Sequence, residues 1–493
     1  MGSVNRVDEL EPMIELSKRR GFFWPSFSIY GGFSGLNDYG PLGTILKSRI
    51  YLEWKNSFAR IGAIEIDSTD LTPEAVLKAS GHVDKFIDMA ITCSKCKSRY
   101  KLENIIESNG GSKIPESIEE ARATVSNGNF KCPKCGNLLA DPYEFHLMFE
   151  IRSGNETMYL RPETAQGIFV NFKLLLNYNR GKLPMIVIQQ GKGYRNEISP
   201  RQGVIRQKEF NMGEAEVFLD GQDGNSFIPG GDDIILLHDM NSQDHRMDLS
   251  SAVQSRIVGS NDHAFFMEIV YRLALKVGVD PERLRFRQHR KDELAHYSRE
   301  CWDLEVKIND TWLEVAGIAD RGTYDLSRHI KESGENLYYE GQKIANVIEP
   351  SIGMDRMIAA SIISNMKKRE NGYSYLTFPA DIAPYRVAVL PLQKKDGLLE
   401  KARDIFSKIQ EIEPYSVFDE SGAIGRRYAR QDEIGTPYCI TIDYETLERD
   451  VVTIRERNST LQIRDVKVET LLEFPLFLKN PALKKFGSEQ PGQ

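Results

Sequence analysis

The order of apolar and polar positions divides the chain into stretches of different period. Up to about residue 90 it holds a charged helical stretch, then GFFWPSFSIYGGFSGLNDYGPLG, dense in glycine and aromatic residues, then the amphipathic run TILKSRIYLEWKNSFARIG. The glycines fit loops lying close to a ligand or partner, and equally fit plain tight turns. Between about 91 and 140 the composition turns polar, with NGGSKIPES in the middle, as an inserted module would. From 141 to about 380 strand and helix patterns alternate. They are interrupted at 220 to 262 by a stretch that begins with the acidic, turn-rich GQDGNSFIPGGDD and reads as an insertion. After YLTFPADIAPY the pattern resets. RVAVLPL reads as a buried strand, LLEKARDIFSKIQEI as a helix, YSVFDES as a strand, AIGRRYARQDEIG as a helix and PYCITID as a strand. Together they predict a separate small α/β domain over about 383 to 480, with a tail at 481 to 493.

One stretch carries unusual chemistry for its period. GKGYRNEISPRQGVIRQKEFNMGEAEVF, residues 191 to 218, predicts two strands joined by a turn at SPRQG. Alternation sets Arg195 and Glu197 on one face of the first strand, and Arg206, Lys208, Phe210, Glu214 and Glu216 on one face of the second. A solvated sheet face would show the same alternating charge. Phe210 weighs against that reading, because an aromatic ring among charges is a stacking platform for a base. Arginines hold phosphates bidentately, and a nearby carboxylate accepts from an exocyclic amine. Such a face suits ATP. In MYLRPETAQGIFVNF and NVIEPSIGMDRMIAASII a proline follows a strand-like run, at an expected helix start. This leaves Glu163 in a first turn and Arg356 near the start of a helix continued by Met357, Ile358 and Ile362.

Composition narrows the class. At 493 residues and 41% apolar content, the chain is long enough for roughly three domains. It has no run of eighteen apolar residues, and its start, MGSVNRVDELEPM, lacks the apolar segment of a secretory signal. Neither insertion nor export is expected, and a cytoplasmic enzyme is. Met1 and Gly2 resemble the start of a myristoylation signal, but Arg6 stands where that signal requires Ser or Thr. A net charge of −7 excludes a chain that is basic throughout and leaves room for a local nucleic-acid patch such as RLRFRQHRK at 283 to 291. Four of the six cysteines form two CxxC pairs, Cys93 with Cys96 and Cys132 with Cys135, with 35 residues between the pairs. They could supply four thiolates for tetrahedral zinc, with Lys95, Lys97, Lys131 and Lys134 offsetting the charge. The gap exceeds the usual zinc-ribbon spacing, so four unligated thiols is the competing reading.

The Arg-x-Glu at Arg195 and Glu197, the Arg-x-x-x-Phe from Arg206 to Phe210 and the Gly-x-x-Arg from Gly353 to Arg356 resemble motifs 2 and 3 of class II aminoacyl-tRNA synthetases. The words RPETAQGIF, RNEISPR, IRQKEF, ADRGTYDL, EPSIG and ASGHVDKF resemble the homodimeric glycyl-tRNA synthetase family in particular, from about residue 10 to about 470. The resemblance implies an α+β fold. It comprises an antiparallel β-sheet catalytic core flanked by helices (1–90 and 141–380), a zinc-binding insertion (91–140) and a C-terminal α/β anticodon-binding domain. The implied reaction is activation of glycine with ATP and Mg2+ to glycyl-adenylate and pyrophosphate, then esterification of the 3′-terminal adenosine of tRNA(Gly).

Position by position, Arg195 would grip the α-phosphate and the amino-acid carboxylate, and Arg356 would close over ATP. Glu197 would read the adenine amine, Arg206 would hold the outer phosphates and Phe210 would lie under the adenine. Asn196, Gln207 and Val315 would complete the ATP site, with Glu314 contacting ATP and magnesium. Glycine would be held by Glu163, Glu214, Glu349 and Ser351, with Arg321 nearby. YKLENIIE stands where the family usually has an Arg-Ala-Asp-His block, which leaves Arg99 and Lys101 as candidates for that arginine. The helix around 44 to 60 with EIDSTDL resembles motif 1 and implies a homodimer. Arg426, Arg427, Arg455 and Arg457 are candidate RNA contacts, with solvated surface arginines as the alternative. A non-catalytic nucleic-acid-binding relative is disfavoured by the retained ATP and glycine residues. A ligase that loads a protein carrier is disfavoured by the C-terminal domain.

Overall fold

The computed structural model describes residues 8–111, 114, 115, 117–198, 200, 203–221 and 224–471. Met1, Gly2, Arg6, most of the SPRQG turn and the tail at 481 to 493 lie outside the described residues. Nine strands build the central sheet. In chain order they are β1 (Ile64–Glu65), β2 (Met185–Tyr194), β3 (Glu209–Leu219), β4 (Ile235–His238), β5 (Asp244–Met247), β6 (Leu284–Gln288), β7 (Glu300–Ile308), β8 (Thr311–Gly322) and β9 (Asn346–Gly353). Across the sheet they run β5-β4-β6-β7-β8-β9-β3-β2-β1. Neighbours are antiparallel except for β1 with β2 and β4 with β6.

Alternation along β3 decides what lies on each side of the sheet. Ala215, Val217 and Leu219 join the main core with Leu46, Ile50, Trp54 and Phe58 of α1 (Pro41–Ala59), Phe266, Met267 and Val270 of α2 (Asn261–Lys276) and Met357 and Ile358 of α3 (Met354–Asn365). Pro41 opens α1 where its missing N–H costs no helical bond. The opposite positions Phe210, Met212 and Glu214 face a cavity. Phe218 continues that face beneath the helices Ala165–Val170 and Phe172–Tyr178, against Phe169 and Phe172.

The hairpin differs from its expected form at the turn. β2 and β3 pair without a slip from Met185↔Phe218 to Tyr194↔Glu209. Arg195 and Glu197 therefore follow β2, and Arg206 and Lys208 precede β3. The connection is longer than a tight turn because Ile198, Val204 and Ile205 are buried and anchor it, with a 3-10 turn at Gly203–Ile205. The prolines also behave differently from the helix starts expected of them. Pro162 precedes the helix Ala165–Val170 by three residues. Pro350 lies inside β9, where the ladder to β3 lapses between Glu214↔Ser351 and Val217↔Ile348, so its missing N–H removes no bond on that side.

The segment read as an insertion at 220 to 262 supplies β4 and β5, and Ile235, Leu237, Leu249, Ala252 and Val258 enter the main core. A three-stranded sheet (Ile87–Thr92, Arg99–Lys101, Tyr143–His146) and the helices Leu102–Ser108 and Ile118–Gly128 form a unit with its own core, around Ile91, Leu102, Ile105, Val125 and Phe130. Towards the C-terminus a five-stranded sheet centred on Tyr438–Ile442 carries the helices Leu398–Ile412 and Ile424–Ile434, again with a separate core.

Candidate active site

The cavity over β3 has a volume of about 290 Å³. One end is lined by Arg195, Glu197, Arg206, Phe210, Glu314, Val315 and Arg356. The Arg195 guanidinium lies between two rings, 5.2 Å from Phe86 and 5.3 Å from Phe210, and its Nε donates to the Pro162 carbonyl at 3.3 Å. It is thus fixed before any phosphate arrives. Arg356 Nη1 donates to the Glu314 carbonyl (3.0 Å) and carboxylate (3.1 Å). Next to it, buried Asp355 accepts from Gln207 Nε2 at 3.0 Å, from the Asn211 amide at 2.7 Å and from the Tyr39 hydroxyl. Gln207 accordingly braces the wall it belongs to. Asn196 is not among the lining residues, and its side chain accepts from Lys208 Nζ at 3.1 Å. Glu314 is half exposed at the mouth, an oxygen donor of the kind a magnesium ion takes.

The other end holds carboxylates. Glu163, Glu214, Glu349 and Ser351 line it with Tyr297, and all three glutamates are buried. Glu214 accepts from the Thr164 amide at 2.7 Å and from its hydroxyl, while Ser351 Oγ donates to the Gly317 carbonyl at 3.2 Å. A side chain at Gly317 would stand 3.4 Å from Ser351 Oγ and 3.5 Å from Asp303 Oδ1, so glycine there keeps the floor open. Arg321 does not line the cavity. It is fully buried behind the carboxylates, paired through two bonds of 2.7 Å to Asp325, bonded to Glu349 and 3.8 Å from Glu163, with the Tyr297 ring 3.8 Å from its guanidinium.

Burial and mutual repulsion set the charge of this end. Burial, reinforced by the charge of Glu163, pushes Glu214 up to about 7. Burial pushes Glu349 to about 8 despite Arg321. For Glu163 burial acts in the same direction, but His82 and Arg321 outweigh it and hold the carboxyl well below its usual range. Glu216, expected on this face of the hairpin, is wholly buried and has no hydrogen-bond partner among the described residues. Burial and the nearby Glu349 push it far up, which favours its neutral form.

Sequence reasoning did not single out His82, His289, Tyr297, Cys301 or Asp303. Cys301, Asp303 and Glu305 alternate along β7, a signal hidden by the more conspicuous RLRFRQHRK. Three arginines of that patch are paired in the fold. Pairing of β6 with β7 lays Arg285 on Glu305 and Arg287 on Asp303 and Glu305, and Arg283 pairs with Glu9. His289, Cys301 and Asp303 place possible ligand atoms within 4.8 Å of one another, but His289 Nε2 already lies 2.7 Å from Asp303 Oδ2 and Arg287 meets the same oxygen at 3.2 Å.

The four CxxC cysteines meet. Cys93 Sγ is 3.6 Å from Cys135 Sγ, and Cys96 Sγ is 3.6 Å from Cys132 Sγ. Two matching turns present them. Lys97 N–H donates to the Cys93 carbonyl and Gly136 N–H to the Cys132 carbonyl, with Lys97 and Gly136 both at positive φ. Such sulfur spacing suits a tetrahedron of about 2.3 Å bonds around zinc. Neither Arg99 nor Lys101 lines the cavity over β3. Arg99 lies over the Phe145 ring at 4.8 Å, and Lys101 pairs with Asp88 and Glu103. Of the C-terminal arginines, Arg426 is exposed. The other three are internal: Arg427 donates to the Pro391 and Gly422 carbonyls, Arg455 pairs with Asp432, and Arg457 donates to the Gly435 and Phe378 carbonyls.

Comparison with known proteins bears on the same residues. A family model described as tRNA synthetase class II core domain (G, H, P, S and T) matches residues 144–229, and an anticodon binding domain matches 386–476. The glycine–tRNA ligase of Thermococcus sibiricus is 38% identical over 95% of this chain and 98% of its own length. That of Methanococcus maripaludis is 37% identical over 93% and 98%. The first alignment, at 562 positions, is longer than this chain, so the relative carries segments that are missing here. A solved structure of Giardia lamblia prolyl-tRNA synthetase in complex with prolyl-adenylate shares the fold, with a TM-score of 0.59 at 13% identity over 94% of this chain and 76% of its own. Among the described residues no helix is long and apolar enough to cross a membrane. With relatives at this identity aligned over nearly their full length, the chain belongs to the glycine–tRNA ligase family of class II synthetases, enzymes that use ATP to join glycine to its tRNA.

Proposed function

We propose that the cavity over β3 is where ATP and glycine react, with the ATP site at the Phe210 end and the ammonium site at the Glu214 end. The observation that carries this reading is that one strand face joins the fixed arginines to the buried carboxylates. Arg195 holds the α-phosphate and stabilises the charge that develops there as the glycine carboxylate attacks in line. Arg206 and Arg356 take the outer phosphates, Glu197 accepts from the adenine amine and Phe210 stacks beneath it. Magnesium bound at Glu314 would neutralise phosphate charge. Glu163, Glu214 and Glu349 receive the ammonium, and Arg321 orients Glu163 and Glu349 from behind. Overlap with the packed walls of the pocket rejects side chains, which discriminates more strongly than a missing methyl contact can. The 3′-terminal ribose of tRNA(Gly) then takes the glycyl group.

Glycine-dependent exchange of pyrophosphate into ATP, followed by charging of tRNA(Gly), tests this. Arg195→Ala is expected to lower exchange by about 10²–10³-fold with the fold intact. Near-normal exchange would remove Arg195 from the site.

Three further assignments belong to the same reading. The four cysteines hold one structural zinc, since a closed thiolate set leaves no position for water. Metal analysis should find one zinc per chain, lost in Cys132→Ser. Two chains form a homodimer. An exposed apolar group, Phe27, Ile29, Tyr30 and Phe33, supports this because so compact a patch suits a partner surface. Sedimentation as a monomer at micromolar concentration would contradict it. The enzyme works in the cytoplasm, where its tRNA is, and Arg426 contacts RNA.

A further inference from the structure

His82 opens the short helix His82–Lys85, is 3% exposed, and has no part in the chemistry assigned above. Its Nε2 lies 3.2 Å from Oε2 of Glu163, whose Oε1 accepts from Gln166 Nε2 at 3.0 Å. Its Nδ1 lies 2.7 Å from Ser80 Oγ, and the same hydroxyl donates to the Leu77 carbonyl at 3.2 Å. A serine hydroxyl has a single proton. With that proton on Leu77, Oγ can only accept from Nδ1–H, while the carboxylate can only accept from Nε2–H. Every group is then satisfied when each ring nitrogen bears a proton. A neutral ring accepting from Ser80 would take the donor away from Leu77, whose carbonyl lies in the last turn of the helix Glu74–Ala79.

We infer that His82 is a positioning residue for glycine: as an imidazolium seated on Ser80, it keeps Glu163 ionised and aimed into the ammonium site before the amino acid arrives. The inference rests on the assignment of Glu163 to that site. It accounts for the division of labour among the three cavity carboxylates, one held low while its two neighbours are pushed up. The other charged or titratable groups around the pair are Glu214, Glu349 and Tyr297, Arg321, 3.8 Å from Glu163, Lys85, and His296 and Tyr324. His296 and Tyr324 both bond the Ser80 carbonyl, at 3.0 and 3.4 Å. They fix the segment that carries the imidazole.

Glycine-dependent pyrophosphate exchange on zinc-loaded, full-length enzyme tests this. His82→Gln can still donate one hydrogen bond but carries no charge. It is expected to raise the glycine KM about tenfold or more while the ATP KM stays within about twofold. Ser80→Ala, which removes the acceptor that seats the imidazole, should raise the glycine KM in the same selective way. An unchanged glycine KM in His82→Gln, or equal rises in both KM values, overturns the inference. So does an unchanged glycine KM in Ser80→Ala, which decides the matter should His82→Gln fail to fold. Absence of exchange in the unsubstituted enzyme would instead overturn the glycine-site assignment.

Discussion

In the proposed site, Glu214 and Glu349 are the residues whose charge changes when glycine binds. With ordinary values raised to about 7 and about 8, both are partly protonated near neutrality, because burial penalises the charged form and Glu163 repels it. An ammonium requires them ionised, so binding should expel protons. The sign follows: raising the pH from about 6 to 8 ionises these groups in advance and should lower the glycine KM. Calorimetry at pH 7 in two buffers of different ionisation enthalpy should show proton release, and identical heats would contradict the raised values. Glu216 makes the opposite prediction. Held towards its neutral form and without a hydrogen-bond partner among the described residues, it should tolerate Glu216→Gln, with melting temperature and glycine KM nearly unchanged; a large loss would mean it is ionised. At this scale the sequence was informative where a residue type meets a motif, as for Arg195, Phe210 and Glu314. It was silent where burial decides the role. Arg321 sits behind the site, Gln207 braces it and Asn196 is outside it, because what differs among them is the packing of distant segments.

Among elements, the hairpin was legible from alternation, and its turn was not, because the connection is shaped by where Ile198, Val204 and Ile205 are buried rather than by SPRQG itself. The structure of the segment at 220 to 262, expected as an insertion, was hidden in the sequence for the same reason. β4 and β5 are four residues each, too short for a period to emerge, and their apolar side chains find a core supplied by other segments. The cysteine unit makes a sharper element-level prediction. It holds a small core of its own, and a groove shared by its Tyr100, Lys101, Asn104 and Pro133 with Arg206 and Arg356 joins it to the ATP end. Cys132→Ser should therefore unfold the unit, seen as new protease sensitivity between about residues 87 and 146. It should also raise the ATP KM more than the glycine KM, and a protease-resistant unit without zinc would show that the metal is dispensable.

For the molecule as a whole, the C-terminal domain is tied to the catalytic domain by charge buried at their junction. Asp432 takes both Arg455 and Arg369, while Arg457 reaches from one domain to the Phe378 carbonyl of the other. Asp432→Ala leaves two arginines without their buried partner and should cost about 3–5 kcal/mol in denaturant unfolding. The more exposed pairs of Glu433 with Arg19 and Arg20 should yield about 1 kcal/mol or less on Glu433→Ala. Of the arginines read as candidate RNA contacts, Arg457 thus spans the two domains while Arg427 stays within one, a difference hidden in the sequence because a basic side chain reads alike whether it faces solvent or a carbonyl. The strand that opens the site has a consequence of its own. β3 pairs with β2 from Glu209 to Phe218 and with β9 at Met212–Glu214 and Val217–Leu219, and in the proposed site Phe210, near its start, carries the adenine and Glu214, four residues on, the ammonium. The backbone therefore acts as a fixed gauge for the length of the adenylate. A non-hydrolysable glycyl-adenylate mimic should fit that gauge, and its β-alanyl homologue, one methylene longer, should bind far more weakly, with no side-chain rearrangement able to take up the difference.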